Sequence, residues 1–174
     1  ARSGSSQYYA TGISEGILRK RLGDTVNLCG VEYGAKLKLG NTWVSFHPAG
    51  HVLGSAQIRV EQGDEVWVVS GDYKRCADPT CAPFEVVPCN TFITEATFGL
   101  PIYQWDSGEQ TASKIYDWWQ ADSDRPSILF CYAFGKAQRV LAELKKFTDR
   151  PVYVHGAVHV LTEIYRQVGV EMLA

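Results

Sequence analysis

A histidine at position 51 sits inside the run His47-Pro48-Ala49-Gly50-His51-Val52-Leu53-Gly54-Ser55-Ala56, a glycine-flanked turn between two predicted strands. Turns at strand ends are where a rigid scaffold presents reactive groups. The next strand ends in Ser70-Gly71-Asp72-Tyr73, and the one after it in Thr94-Glu95-Ala96-Thr97. Three consecutive strand ends therefore carry His51, Asp72 and Glu95. If the strands are neighbours, these groups meet on one rim. Imidazole nitrogen and carboxylate oxygen are standard donors to zinc. An aspartate can bridge two ions, and paired metals activate water and stabilise both oxygens of a phosphoryl displacement. The same residues also fit a satisfied turn histidine and a loop-capping aspartate. Spacing alone leaves both readings open.

Other residues with reactive side chains carry less. His155 ends a predicted strand in Tyr153-Val154-His155-Gly156-Ala157, and His159 falls one turn into the helix that follows. Both read as structural or boundary residues. Cys76, Cys81 and Cys89 are separated by four and seven residues, without the tight Cys-x₂-Cys pair typical of structural zinc. Trp118-Trp119 could stack on bases, but their helical spacing with Ile115 points instead to a core role.

The elements that must position these groups follow from periodicity. Gln7–Thr11 reads as a short strand, and Ile13–Leu22 as a helix stopped by Gly23. Ala35–Leu39 and Thr42–Phe46 flank Gly40-Asn41 as a hairpin, and Gln57–Glu61 and Val66–Ser70 form a second strand pair. Phe92-Ile93 leads into Glu95. The pattern then changes. Ser107-Gly108-Glu109-Gln110 is a capping box opening a helix with Ala112, Ile115, Trp118 and Trp119 inward. Ser127–Tyr132 and Val152–His155 read as apolar strands, and Ala137–Leu144 and Val158–Val168 as amphipathic helices. A β-rich first part thus precedes a strand–helix–strand–helix part, which suggests parallel strands with crossover helices. The predicted class is α/β in the broad sense, or α+β.

The 174 residues are enough for one compact domain. Seventeen basic against nineteen acidic side chains give a net charge of −2, which does not announce a nucleic-acid binder but leaves room for a local basic groove. No apolar run is long enough for a membrane-spanning helix. An odd count of five cysteines, with no basic-then-apolar leader after Ala1, favours reduced thiols and a cytoplasmic setting.

Four ordered motifs carry a family resemblance. Ala49-Gly50-His51-Val52-Leu53-Gly54-Ser55-Ala56-Gln57, Ser70-Gly71-Asp72-Tyr73-Lys74-Arg75, Thr94-Glu95-Ala96-Thr97-Phe98-Gly99 and the run Phe130–Leu141 resemble metallo-β-lactamase-fold nucleases of the β-CASP group. That group includes the endonuclease of mRNA 3′-end processing. The stretch Asp78–Pro101 is more similar still to bacterial ligase-associated DNA exonucleases. The resemblance implies that His51 is a metal ligand and Asp72 the carboxylate bridging two zinc ions. It also implies that Glu95 is a catalytic acid that opens the β-CASP segment and orients a histidine. In the same family the segment Phe134–Arg139 faces the nucleic-acid backbone, so Lys136 and Arg139 are expected to meet phosphate. A helix N-terminus there would add free N–H groups and partial positive charge.

One departure matters. These nucleases hold most of their metal through a His-x-His-x-Asp-His motif, and His47, His51, His155 and His159 form none. The chain is therefore expected to be an internal segment with residues 1–100 as a partial metallo-β-lactamase αββα sandwich and 101–174 as the start of a β-CASP domain. The intact enzyme is expected to hydrolyse DNA phosphodiesters with two zinc ions, in repair, alongside an ATP-dependent DNA ligase. The alternatives are a ribonuclease acting on RNA and a non-catalytic scaffold binding nucleic acid or a partner. This chain alone is expected to be inactive.

Overall fold

The computed structural model describes residues 4–122 and 124–174. The chain divides into two compact units, the first ending at Thr97 and the second beginning at Phe98. Helices and sheets are both present, an α+β composition.

In the first unit, strand β1 (Tyr8–Thr11) lies parallel to β2 (Leu28–Val31), with Tyr8 opposite Leu28 and Thr11 opposite Val31. A parallel pair needs a crossover, here a turn of 3₁₀ helix at Gly12–Ser14 and helix α1 (Glu15–Leu22). A Glu15–Arg19 ion pair one turn apart supports α1. Gly23 ends it with a positive φ of 95° and an amide that donates back to Arg19. Strand β2 lacks a sequence pattern because Leu28-Cys29-Gly30-Val31 is too short and too mixed to show alternation.

A five-stranded sheet follows in the order β3 (Leu37–Leu39), β4 (Thr42–Pro48), β5 (Ala56–Gln62), β6 (Glu65–Val69) and β7 (Thr91–Ile93). The two predicted hairpins form, turning at Gly40-Asn41 and Gly63-Asp64. Strands β3 to β6 are antiparallel neighbours, while β7 runs parallel to β6. The long connection over residues 70–90 has no regular structure. It folds against one face of the sheet through Tyr73, whose ring lies 5.3 Å from Phe84 and 6.4 Å from Phe92. A Lys74–Asp78 ion pair and bonds from the Thr80 amide and hydroxyl to Asp78 tie it internally. Because strand side chains alternate, the register puts Leu37, Leu39, Val44, Phe46, Ile58, Val60, Trp67, Val69 and Ile93 on the opposite face. That face is mainly apolar, although Thr42, Gln62, Glu65 and Thr91 also lie on it; Trp67 is 47% exposed there and Ile93 46%.

The second unit contains helices α2 (Gly108–Ala121), α3 (Lys136–Leu144) and α4 (Gly156–Gln167). The capping box forms in full: the Ser107 hydroxyl accepts from the Gln110 amide, and the Gln110 side chain accepts from the Ser107 amide. Ala112, Leu141, Leu144, Ile164 and Tyr165 are buried. Trp119 is half-buried beneath the Arg150 guanidinium, but Trp118 faces outward, contrary to the inward position predicted for it. Ala112 and Trp119 define the packed stripe, and Trp118 lies 100° beyond Trp119. The strands expected at Ser127–Tyr132 and Val152–His155 do not form either. A strand exists only when paired, and no strand occurs among the described residues of this unit. The Val152 amide bonds instead to the Ala174 carbonyl.

Candidate functional site

Sheet topology dictates where the candidate residues fall. Strand β4 is antiparallel to β5, and β5 to β6, so β4 and β6 run the same way; β7 joins them parallel to β6. The C-terminal ends of β4, β6 and β7 therefore open on one edge. His51 follows β4, Asp72 follows β6 and Glu95 follows β7.

The turn that carries His51 is built tightly. The Ser55 hydroxyl accepts from the His51 and Val52 amides, both at 3.1 Å. The Ala49 amide donates to the Ser55 carbonyl, and the Ser55 amide to Val52. Gly50 and Gly54 have φ of 70° and 73°. Neither could carry a side chain. A Cβ on Gly50 would lie 2.3 Å from the Lys74 carbonyl oxygen, and one on Gly54 would lie 2.4 Å from Ser14 Cβ. The Thr11 hydroxyl donates to the Gly54 carbonyl at 2.7 Å. Tyr33 donates to the Ser55 carbonyl at 3.0 Å, and burial is the main reason its phenol is pushed up to about 12. Ala49 and Leu53 are buried while His51 points to solvent. The turn is thus gripped from β1 on one side and from the loop after Asp72 on the other.

His51 Nε2 and Asp72 Oδ2 are 3.9 Å apart. That is too long for a hydrogen bond. It is near the spacing of two donors on one ion: ligand distances of roughly 2.0–2.2 Å at a tetrahedral angle put donors about 3.4 Å apart. Glu95 is held by the Thr97 amide, which donates to its carboxylate at 2.7 Å. That bond is the main cause holding the Glu95 carboxyl below its ordinary value, followed by the Thr97 side chain and then by the nearby His51. His51 and Asp72 therefore meet, and Glu95 lies within electrostatic reach of His51. Two donors do not fill a zinc site, which takes three or four protein groups. Among the described residues no group of three or more His, Cys, Asp or Glu is arranged to hold a metal ion.

The other histidines have other partners. His47 lies between the Ser45 hydroxyl and the Glu85 carboxylate, each at 3.0 Å. His155 caps α4, its Nδ1 accepting from the Ala157 amide at 3.2 Å. His159 lies exposed on α4. No disulfide links the five cysteines.

In the second unit Lys136 and Arg139 stand one turn apart at the start of α3. The Lys136 ammonium lies 5.1 Å from the centroid of the Tyr132 ring, and Arg139 lines a small cavity with Gly108, Ile115 and Glu143. Three of the N–H groups at this helix end already have acceptors. The Gly135 amide donates to the Gln138 side chain, Lys136 to Phe134 and Ala137 to Tyr132. Attraction for phosphate here therefore draws mainly on the side-chain cations. Sequence reasoning singled out His51, Asp72 and Glu95 but missed the supports at Tyr33 and Ser55. Gly50 and Gly54, flanking a histidine, were the signal that the turn is closely packed.

The outline is an α+β chain with His, Asp and Glu on one sheet edge. No protein-family model matches it. A probable DNA ligase from Opitutus terrae is 36% identical over 135 residues, covering 73% of this chain and 13% of that protein. An RNase J-like protein from Methanocaldococcus jannaschii is 26% identical over 137 residues, covering 72% of this chain and 32% of its own length. A crystal structure of a protein of unknown function from Enterococcus faecalis V583 matches with a TM-score of 0.68 at 14% identity, over 95% of this chain and 44% of that one. The likeness to that structure concerns the fold alone. This chain belongs to the β-CASP group of metallo-β-lactamase-type nucleases, and it spans between about an eighth and a third of the two curated relatives.

Proposed function

We propose that this chain supplies part of the metal-holding rim of an enzyme that hydrolyses nucleic-acid phosphodiesters. The carrying observation is the convergence of His51 and Asp72, 3.9 Å apart at parallel strand ends. In this reading His51 would hold a zinc ion, and Asp72, 78% exposed at its side chain, would be shared between two. The remaining donors come from other parts of the intact protein. Paired zinc ions would supply Lewis acidity and an activated water to phosphodiester cleavage. Glu95, fixed by Thr97 and kept ionised, orients a neighbouring proton-handling group. Lys136 and Arg139 attract the phosphate backbone without reading sequence.

DNA is the substrate we favour, with an ATP-dependent DNA ligase as partner in repair, in the cytoplasm. The 36%-identical relative named as a probable DNA ligase supports this. RNA is the second reading, supported by the relative named RNase J-like. We further propose that residues 1–100 belong to an αββα sandwich and 101–174 to the start of a β-CASP domain. The open apolar face of the sheet, with Trp67, Ile58, Val69 and Ile93 exposed, is the surface a second sheet would cover.

The test is Asp72→Asn in the full-length protein, assayed on labelled single- and double-stranded DNA and RNA. The amide keeps the shape and loses the bridging charge, so hydrolysis should vanish while circular dichroism stays unchanged. Wild-type turnover with wild-type zinc content would remove Asp72 from the site.

A further inference from the structure

The loop that follows Asp72 does more than connect β6 to β7. It closes back on the turn that carries His51. The Lys74 amide donates to the Ala49 carbonyl at 2.9 Å, and the Glu85 amide to the Pro48 carbonyl at 3.1 Å. The backbone at Lys74 and Phe84 fills the space where a Gly50 side chain would stand. One buried side chain joins the two segments. Gln57 is 1% exposed on β5, and its Nε2 donates to the Pro48 carbonyl at 3.0 Å and to the Glu85 carbonyl at 2.7 Å. Its Oε1 is buried with no partner. The amide cannot be turned over, because its oxygen would then face two carbonyl oxygens. Gln57 thus leaves its acceptor unsatisfied while both donors hold the turn and the loop together. His47 adds a second tie on the same side, through Nδ1 to the Glu85 carboxylate.

We propose that Gln57 is a positioning residue: its buried amide clamps the loop after Asp72 onto the turn before His51 and so fixes the separation of the two groups. The geometry stands without a metal, and its functional meaning rests on the metal-rim reading above. Gln57 touches neither reacting group. It acts through Pro48, two residues before Gly50, and through Glu85, at the far end of the loop that begins beside Asp72.

The experiment uses nuclear magnetic resonance on the 174-residue chain. Gln57→Met keeps the side-chain length and removes both donors. Gln57→Asn is shorter, reaches one carbonyl at most, and serves if the methionine variant does not fold. Amide exchange at Lys74 and Glu85 should speed up at least tenfold, while the central-strand amide of Val68 keeps its rate. Asp72→Asn should shift the His51 ring signals in the wild-type background and lose more than half of that effect in the Gln57 variants. Unchanged exchange and unchanged coupling would overturn the proposal. Equal acceleration at Val68 would overturn it too, by making Gln57 a general stabiliser. Zinc alone is then titrated, with exposed His159 as the control. Preferential response of His51, needing about tenfold more zinc in the variants, supports both readings. Because two donors alone hold zinc weakly, the metal reading is judged on the full-length protein: a wild type whose His51 responds to zinc no more than His159 there would refute it, while the lost His51–Asp72 coupling would still support the clamp.

Discussion

Replacing Gly50 by alanine should destabilise the first unit far more than replacing Gly40 by alanine. Both glycines have positive φ, 70° and 61°. Each substitution therefore meets the left-handed penalty for an L-residue, roughly 1–2 kcal/mol. They differ in surroundings. A Cβ on Gly40 meets nothing within 4 Å, whereas one on Gly50 lies 2.3 Å from the Lys74 oxygen and 2.9 Å from the Phe84 nitrogen. Both are backbone atoms, so the loop itself must move. Overpacking of that kind adds about 1–3 kcal/mol. Gly50→Ala should then cost about 2–5 kcal/mol in all, and the lower bound already equals the most that Gly40→Ala can reach. Since about 1.4 kcal/mol is tenfold in an equilibrium constant, the folding constant should fall roughly 30- to 4,000-fold. Urea denaturation followed by tryptophan fluorescence reads the difference, because Trp43 and Trp67 lie in the affected sheet. Equal midpoint shifts for the two variants, at equal slopes, would refute the close approach of turn and loop.

Zinc added to this chain alone should bind weakly and support no phosphodiesterase activity, as calorimetry and a cleavage assay would read. Tight uptake of two ions, with cleavage lost in His51→Ala, would mean that donors have been overlooked. The Glu61 carboxyl, pushed down to about 2 by hydrogen bonds from Arg59 and then Lys36, favours the folded state above its ordinary value of 4.5 and loses that contribution as pH falls toward 2. Glu61→Gln should accordingly flatten the acid limb of stability between those values, measured as urea midpoint against pH.

How much of this was legible beforehand depended on what each pattern encodes. Both hairpins were readable because alternation and a two-residue turn are local properties. The capping box at Ser107 and Gln110 was readable for the same reason, and both of its bonds form. Strandedness at Ser127–Tyr132 was not, since an apolar run says that burial is wanted without saying where the pairing partner is. Phe130 is 89% exposed there. The meeting of His51 with Asp72 needed only the order and direction of the strands. The clamp behind them was invisible, because Gln57 and Glu85 are 28 residues apart and meet through a backbone carbonyl that carries no sequence signature.

The open face of the five-stranded sheet gives the sandwich reading its sharpest test, because one substitution should cost far more stability in the full-length protein than in this chain alone. Trp67 stands on that face with Val60 opposite it on β5 and Thr91 opposite it on β7. It is 47% exposed. A tryptophan buries about 150–250 Å² when fully covered. Roughly 100 Å² of it is therefore left for another surface to cover, worth about 2.5 kcal/mol at about 25 cal/mol per Å². In this chain alone that area faces water, so Trp67→Lys should lose only part of what the covered half contributes, about 1–2 kcal/mol, since the lysine stem keeps some of that apolar contact. It should also reduce binding of a hydrophobic dye and self-association, since a charge on an open sheet face opposes pairing. In the full-length protein, if a second sheet lies over this face, the same lysine must be buried without a partner. The lost apolar burial and the buried charge would then lower stability by several kcal/mol. A loss of stability in this chain equal to that in the full-length protein would refute the sandwich, because the two settings would then bury Trp67 alike.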